Sequence, residues 1–218
     1  MTVEENIFLA KRNIVDNIYN SAKLEGINTT FPQIEAIING ARSVDLRSDE
    51  IEKILALKHA WEFVFETIDY PEDFRYFKEL HSICAPDVIP TYRGKVRDFD
   101  VGMGGTTWKP DLPFEPDIKT EFERMNEEIS DPTDRALTLM LWCMRSQIFA
   151  DGNKRVSMLY ANKILISNGA GVITIKPDQI EVFSEKLINY YETDEMDDIK
   201  QWVSDNAISI IKKKELER

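Results

Sequence analysis

The sequence contains few of the residues that stabilise secreted or metal-binding domains. Among its 218 residues are only two cysteines and two histidines. Cys84 and Cys143 fall inside apolar helical patterns, so we expect buried thiols of a cytoplasmic protein and no disulfide. His59 and His81 stand alone along the chain, and we predict a structural role for each. His59 should be a core or boundary residue. His81 should lie near a helix end, where a cation complements the helix dipole.

Two further absences limit the class of protein. No apolar run approaches the roughly 20 residues that a membrane-spanning helix needs. The acidic start, Met-Thr-Val-Glu-Glu, lacks the apolar core of a secretory signal. Basic residues are outnumbered, with 27 Lys and Arg against 39 Asp and Glu, and the net charge is −12. Nucleic-acid binding requires a basic surface, so we expect no nucleic acid, no membrane and a cytoplasmic location.

Most of the sequence shows the apolar spacing of helices. A length of 218 residues with 43% hydrophobic content suits one domain with a substantial core. Apolar residues recur at helical spacing, and caps and glycines mark the ends. Helices are predicted at about 2–24, 32–39, 48–68, 71–84, 117–130, 135–147, 153–167, 178–191 and 194–212, with an extended segment at 172–175.

Residues 90–116 interrupt this pattern. Glycines cluster at 94, 102, 104 and 105, with apolar side chains interspersed. This composition predicts a short β-hairpin followed by a Pro-rich connection. A strand edge presents unpaired backbone groups that can pair with an extended peptide. A surface loop with no binding role is the alternative.

The most informative segment is residues 146–155, Ser-Gln-Ile-Phe-Ala-Asp-Gly-Asn-Lys-Arg. It joins two predicted helices, and the N–H groups of residues 152–155 have no intrahelical acceptors, which favours anions. Lys154 and Arg155 add positive charge, Asp151 offers a hard oxygen ligand for Mg²⁺, and Gly152 permits close backbone approach. The loop therefore predicts a phosphate and magnesium site. An ordinary turn with solvated cations is the alternative.

This loop resembles the signature of the Fic/Doc family, written HPFx(D/E)GNGRxxR in Fic proteins and HxFx(D/N)(A/G)NKR in Doc proteins. The resemblance extends from about residue 21 to 162. It implies a mainly α fold, a Fic-like helical domain with a small β-hairpin flap over 90–116, and a single domain spanning 1–218. It also implies ATP and Mg²⁺ as ligands and AMP transfer to a hydroxyl of a target protein that docks at the flap.

The resemblance also implies roles for individual residues of the signature loop and helix, 146–162. Asp151 would hold Mg²⁺, Asn153 would brace the loop, and the nucleotide-binding residues would be Gly152, Asn153, Lys154 and Arg155. The catalytic position, a histidine in the family, falls on Gln147, which cannot act as a general base. General-base catalysis is typically worth about 10²–10⁴-fold, so we expect weak or absent activity.

Three other positions depart from the Fic pattern. Lys154 replaces a glycine and matches Doc, Met158 replaces the second arginine, and Ile148 replaces the proline. The nucleotide-binding half of the motif therefore survives better than the catalytic half. The charges between residues 140 and 160 still sum to +2, from three cations and one carboxylate in an acidic chain.

The end of the first predicted helix is similar to the inhibitory motif (S/T)xxxE(G/N) of many Fic proteins. Ser21, Glu25 and Gly26 match that pattern, which makes residues 1–26 a predicted inhibitory segment. In the family the glutamate blocks the γ-phosphate position. Because Met158 replaces the arginine that pairs with it, an inward-facing Glu25 would need Arg155 or Lys154 as its partner. An exposed glutamate before a capping glycine is the alternative.

The sequence thus predicts a Mg-ATP-binding, Fic-like protein for AMP transfer that is autoinhibited through Glu25 and weak or inactive through Gln147. Two alternatives remain. Lys154 favours Doc-like phosphoryl transfer to a protein, and Gln147 favours a non-catalytic, nucleotide-binding regulatory module. A homo-oligomer is possible, and the sequence does not name the target.

Overall fold

Helices account for most of the computed structural model, which describes residues 1–41 and 44–210. Within these residues the α-helices are α1 Val3–Arg12, α2 Ile14–Leu24, α3 Phe31–Ile38, α4 Ser48–Glu66, α5 Phe74–Cys84, α6 Glu115–Glu128, α7 Pro132–Ser146, α8 Asn153–Ser167, α9 Ile180–Thr193 and α10 Asp197–Asn206. A 3₁₀ helix spans Pro177–Gln179, and the strands are β1 Val172–Ile173 and β2 Ile208–Ser209. The predicted mainly α fold class is confirmed.

The first predicted helix is two helices in the structure. Thr2 starts α1 with a reciprocal capping box to Glu5, as the sequence indicates. At Asn13 the backbone leaves helical geometry, with φ −102° and ψ 20°, and α2 then begins. α1 packs against α8 and β1, whereas α2 packs against α3 and α4. The break thus places the two halves of the segment against different neighbours.

The central element is α8, which packs against α1, α4, α5 and α7. Of its 15 residues, 13 are buried. Two of its buried polar side chains bond to neighbouring backbone: Asn162 hydrogen-bonds Ile173 in both directions, and Lys163 donates to the Ile68 carbonyl. The signature loop is therefore attached to the most enclosed helix described, and this holds its position.

The extended segment predicted at 172–175 contains β1, whereas the hairpin predicted within residues 90–116 is wrong. β1 pairs antiparallel with β2, Val172 opposite Ser209, and residues 90–116 contain turns but no strand. The last predicted helix, 194–212, is also shorter than expected. α10 ends at Asn206 because the backbone that follows pairs with β1, where Thr174 N–H donates to the Ala207 carbonyl. Residues 212–214, which were predicted to end that helix, lie outside the described residues.

Several smaller predictions can be checked in the same residues. Cys84 and Cys143 are buried free thiols, as expected. His59 is exposed on α4, which corrects the prediction of a core or boundary position. Across the described ranges, no helix combines the length and the apolar character needed to cross a membrane.

Candidate functional site

Asn153 holds the signature loop in shape. Its Oδ1 accepts the Phe149 N–H and its Nδ2 donates to the Phe149 carbonyl, both at 2.9 Å. The same Nδ2 lies 3.0 Å from Gln147 Oε1. Because Phe149 is fully buried, these bonds fix the loop between an apolar anchor and the first residue of α8. The bracing geometry proposed for Asn153 from the sequence is present.

Gly152 occupies a position that only glycine suits. Its φ is +75°, and a Cβ built there would lie 2.9 Å from the Cβ of Ala85. Its N–H donates to Asp151 Oδ1 at 2.6 Å. The loop can therefore lie against the residues that follow α5 only because residue 152 has no side chain.

His81 joins this loop to two other parts of the chain, which the sequence did not indicate. Its Nε2 lies 2.9 Å from the Asp151 carbonyl, and its Nδ1 accepts the Gly94 N–H at 2.9 Å. These partners require a neutral ring protonated at Nε2. The imidazole stacks on Phe149 with a centroid separation of 3.8 Å. Burial lowers the pKa of His81 to about 4. With both nitrogens engaged, His81 positions the loop, and neither nitrogen is free to accept a proton.

Gln147 sits where α7 ends, with a left-handed backbone at φ 44°. Its Nε2 donates to the Met144 carbonyl at 2.6 Å, while its Oε1 accepts from Asn153. Both ends of the amide are thus used to hold the loop. A non-glycine residue at positive φ is uncommon, and such strain is often found at functional sites.

Arg155 is the most buried charge of the site, with its side chain 1% exposed. Its two terminal nitrogens bind Asp87 in a bidentate pair at 2.8 and 2.9 Å, and Nη1 also donates to the Cys84 carbonyl. Its Nε lies 3.0 Å from Glu25 Oε2, although the angle is too poor for a hydrogen bond. Arg155 therefore contacts Asp87 through its terminal nitrogens and Glu25 through Nε, with Asp151 farther away at 3.8 Å.

Asp87 is a site residue that sequence reasoning missed. Besides Arg155 it holds Lys53, with Nζ 3.0 Å from Asp87 Oδ2. Burial raises the pKa of Asp87, but the hydrogen bonds and charges of Arg155 and Lys53 outweigh this and keep the pKa below its usual value. Nothing near Asp87 in the sequence marks it, because its partners come from α4 and α8.

The end of α2 meets the loop through two contacts. Glu25, 13% exposed at its side chain, caps the helix and pairs with Arg155. Lys154 Nζ lies 3.4 Å from the Leu24 carbonyl, where it complements the helix dipole. Gly26 turns the chain away at φ +75°. Ser21 contributes its carbonyl to the Glu25 N–H, and its hydroxyl has no hydrogen bond within the described residues. The structure thus brings Glu25, Lys154 and Arg155 together.

Segment 90–116 is attached to the loop through Arg97, a second residue that the sequence did not identify. The Arg97 N–H donates to the Ile148 carbonyl at 3.0 Å, and its Nε donates to the Gln147 carbonyl at 2.6 Å. The rest of the guanidinium binds the carbonyls of Phe99 and Asp111. These bonds occupy the carbonyls of Phe99 and Asp111, and the segment crosses the loop without forming strands.

Asp151 is the exposed member of the site, with its side chain 65% accessible. One carboxylate oxygen accepts the Gly152 N–H and lies 3.8 Å from Arg155 Nη2, and the other faces outward. In the described part of the chain, no three His, Cys, Asp or Glu side chains are grouped closely enough to hold a metal. Met158, which replaces the second arginine of the Fic pattern, is buried.

The fold and this loop define a Fic-type helical domain. Solved structures with the same fold include Fic-1 (residues 134–508) from C. elegans, with a TM-score of 0.78 and 16% identity. That match covers 90% of this chain and 62% of the other, so this chain spans less than two thirds of its length. A Fic domain-containing signaling protein from Bacteroides thetaiotaomicron matches with a TM-score of 0.74 and 18% identity. That match covers 89% of this chain and 82% of the other. At these identities the matches show the fold alone.

A comparison of sequence points the same way. The model of the Fic/DOC family matches residues 71–165, which confirms the resemblance of this part of the chain to that family. Members of this family typically transfer AMP to proteins. BepC from Bartonella tribocorum, solved with bound AMPPNP, matches at a TM-score of 0.50 and 14% identity, covering 78% of this chain and 95% of that one. No curated protein sequence matches significantly.

Proposed function

We propose that this protein binds Mg-ATP at the signature loop, that Glu25 restrains this binding, and that AMP transfer to a target protein is weak because Gln147 replaces the general base. The observation that carries the proposal is the buried contact between Glu25 and Arg155, at 3.0 Å. It brings the predicted inhibitory carboxylate to the one signature arginine that the chain retains.

The geometry of Arg155 explains how Glu25 would inhibit. Asp87 and the Cys84 carbonyl engage the terminal nitrogens of the guanidinium. The Nε edge remains, and Glu25 covers it. A phosphate that approached this edge would have to displace the carboxylate. Asp87 would at the same time keep the guanidinium oriented, because a bidentate pair fixes its plane.

The local charge supports the same conclusion. Glu25, Asp87 and Asp151 balance Arg155, Lys53 and Lys154, so the assembled site is neutral. Removing the charge of Glu25 leaves an excess of one positive charge beside the start of α8, where free N–H groups favour anions. Phosphate binding should then become more favourable.

Asp151 and the loop backbone fit a nucleotide with its magnesium ion. The outward oxygen of Asp151 could supply one ligand, and Mg²⁺ usually takes only one or two carboxylates together with substrate phosphates. When bound, the ion would neutralise phosphate charge. Asn153 and Lys154 would offer their N–H groups at the start of α8, and Arg155 its Nε edge. Gly152 would offer its N–H once that group is released from Asp151 Oδ1.

Calorimetric titration with Mg-ATP tests the proposal. Glu25→Gly should tighten binding by about tenfold or more, because a phosphate could then make a charged hydrogen bond to Arg155 Nε, worth about 1.5–3 kcal/mol, without displacing a carboxylate. Glu25→Gln keeps the side-chain volume and should give part of the gain. Glu66→Gly, at the exposed end of α4, is the matched control for a glycine at a helix end. Absence of nucleotide binding in all variants would refute the proposal.

A non-catalytic, nucleotide-binding module is the second candidate. Its support is that both ends of the Gln147 amide hold the loop instead of facing a substrate. Doc-like phosphoryl transfer is the third, although Lys154 contacts the end of α2 here. Incubation with α-labelled and γ-labelled ATP distinguishes the three candidates. AMP transfer leaves the α-label on protein, phosphoryl transfer leaves the γ-label on protein, and a binding module leaves neither.

A further inference from the structure

A separate cavity of about 350 Å³ opens beside the first half of α2. Its walls come from the α1–α2 junction, the first residue of α3, β1 and the 3₁₀ helix, and the end of β2. None of its lining residues belongs to the signature loop. Its volume is at the lower end of the range for small-molecule sites. The inference drawn from it does not depend on the proposed nucleotide binding.

The cavity contains amide groups that the protein does not use. Asn20 is 8% exposed and lines the cavity, yet its side chain has no hydrogen-bond partner among the described residues. Asn17, 3% exposed, makes only a long bond of 3.4 Å from Nδ2 to the Ala10 carbonyl. Neither residue is among those with a fully enclosed, unpartnered polar atom, so the free amide atoms reach solvent through the cavity. Native proteins use most polar groups in such recessed positions, and these amides are therefore available to a bound molecule.

The spacing of the amides is itself informative. Asn13, Asn17 and Asn20 are separated by four and three residues, which places all three on one face of a helix. Asn13 precedes α2 as its N-cap but makes no capping hydrogen bond. A face with this spacing is ordinarily apolar when it is covered by neighbouring elements. Here three asparagines line one cavity, so their carboxamides can provide a ligand with donors and acceptors.

The remaining walls define the shape and charge of a ligand. Tyr19 and Phe31 form an edge-to-face aromatic pair with centroids 5.9 Å apart, and Leu9 and Val172 add apolar surface. These surfaces suit a planar ring. Two carboxylates, Asp16 and Asp178, face a single cation, Lys176, so an anionic ligand is disfavoured.

We propose that this cavity is a binding site for a small, uncharged, planar heterocycle with adjacent donor and acceptor groups, the chemistry of a nucleobase or an aromatic carboxamide. The ring packs between the aromatic pair and the apolar wall, and its polar edge pairs with Asn17 and Asn20. A phosphate on the ligand would meet the carboxylates at the opening.

Adenosine and nicotinamide are the probes, and backbone amide chemical shifts of the whole chain are the measurement. We expect shifts at residues 17, 20, 172 and 174, with Kd values of about 1 mM or tighter, as is usual for a first probe of this size. AMP should bind several-fold more weakly at these residues than adenosine, because of the net negative charge. Absence of shifts with both probes, or shifts confined to residues 149–153, would overturn the proposal.

Two substitutions sharpen the test. Asn20→Leu keeps the volume and removes the amide, so probe affinity should fall about tenfold or more. Asn189→Leu, at an exposed position of α9, is the matched control and should bind the probe normally. The melting temperature distinguishes a structural amide from a ligand group. Asn20→Leu should leave it unchanged or raise it, since the amide makes no hydrogen bond within the described residues. Unaltered probe affinity in Asn20→Leu would also refute the assignment.

Discussion

The two ends of α2 differ in how their polar groups are satisfied. At the C-terminal end, Glu25 pairs with Arg155 and the Leu24 carbonyl accepts from Lys154. Along the first half of the helix, Asn17 and Asn20 face a cavity with little or no hydrogen bonding in the described residues. The C-terminal site is closed by its own side chains, whereas the cavity is open.

This difference predicts different binding behaviour. A ligand at the closed site must first displace an internal partner, so its apparent affinity is reduced by the stability of that contact. A ligand at the open cavity gains hydrogen bonds for groups that lack them, without breaking an existing pair. The closed site is therefore suited to regulation, and substitutions there should change stability and binding together.

The largest expected effect comes from removing the centre of the closed site. Arg155→Ala leaves Asp87 and Glu25 without their common partner, and breaking a buried ion pair costs about 3–5 kcal/mol of folding stability. Chemical denaturation should show this loss. Arg124→Ala, which also removes two ion pairs but at the surface of α6, should cost no more than about 1 kcal/mol per pair. Similar losses in both variants would mean that burial of Arg155 contributes little.

The next effect concerns pH and His81. Folding lowers the pKa of this histidine from 6.5 to about 4, so the unfolded chain binds its proton more readily. Stability from His81 is complete above pH 6.5 and is lost as the pH falls toward 4. The full difference is about 3 kcal/mol, since one pKa unit corresponds to about 1.36 kcal/mol.

The measurement is the free energy of unfolding as a function of pH. The carboxylates also titrate below pH 5, so the comparison of variants isolates the histidine. His81→Gln should show a shallower decline between pH 6.5 and 4 than the unmodified protein. His59→Gln, at an exposed site on α4, should retain the original slope. Identical slopes for all three proteins would show that His81 does not control this loss.

The comparison also shows how far sequence reasoning reaches. The helical fold class and the location of the signature loop follow from local patterns, as does the need for a cation beside Glu25. Asp87 could not be predicted, because it meets Arg155 only after α5 and α8 pack together. Residues 140–160 are positive in sequence, with a sum of +2, but once folded Arg155 pairs with Glu25 and Asp87, and Arg145 pairs with Asp194.

The same reasoning explains the errors in the strands. Residues 208–209 continue a helical pattern in sequence, yet they pair with β1 more than 30 residues away. Residues 90–116 have hairpin composition, but Arg97 uses its side chain to bind backbone carbonyls of the loop and its own segment. Long-range hydrogen bonds decided both outcomes, and local propensity does not report them.

A third prediction tests whether the closed site lacks only its base. In a Glu25→Gly background, Gln147→His should raise incorporation of α-labelled AMP by about 10²-fold or more, the usual scale for a positioned general base. The backbone at residue 147 is left-handed, and histidine is among the residues that accept this conformation more often. Gln147→Asn in the same background is the control that lacks a base. No incorporation despite intact ATP binding would favour the non-catalytic module.

The smallest effect on stability should come from Lys154. Its contact with the Leu24 carbonyl is long, at 3.4 Å, and a cation at a helix C-terminus contributes about 0.3–1 kcal/mol. Lys154→Met should therefore reduce the free energy of unfolding by no more than that amount.

If Lys154 also binds phosphate once Glu25 is removed, the same change in the Glu25→Gly background should weaken Mg-ATP binding by about tenfold, as expected for a charged contact. Lys23→Met is the control, because Lys23 lies in the last turn of α2 and approaches the Thr29 carbonyl instead of the loop. Equal ATP affinities with and without the Lys154 side chain would restrict this residue to capping α2, and Arg155 would then be the cation on which phosphate binding depends.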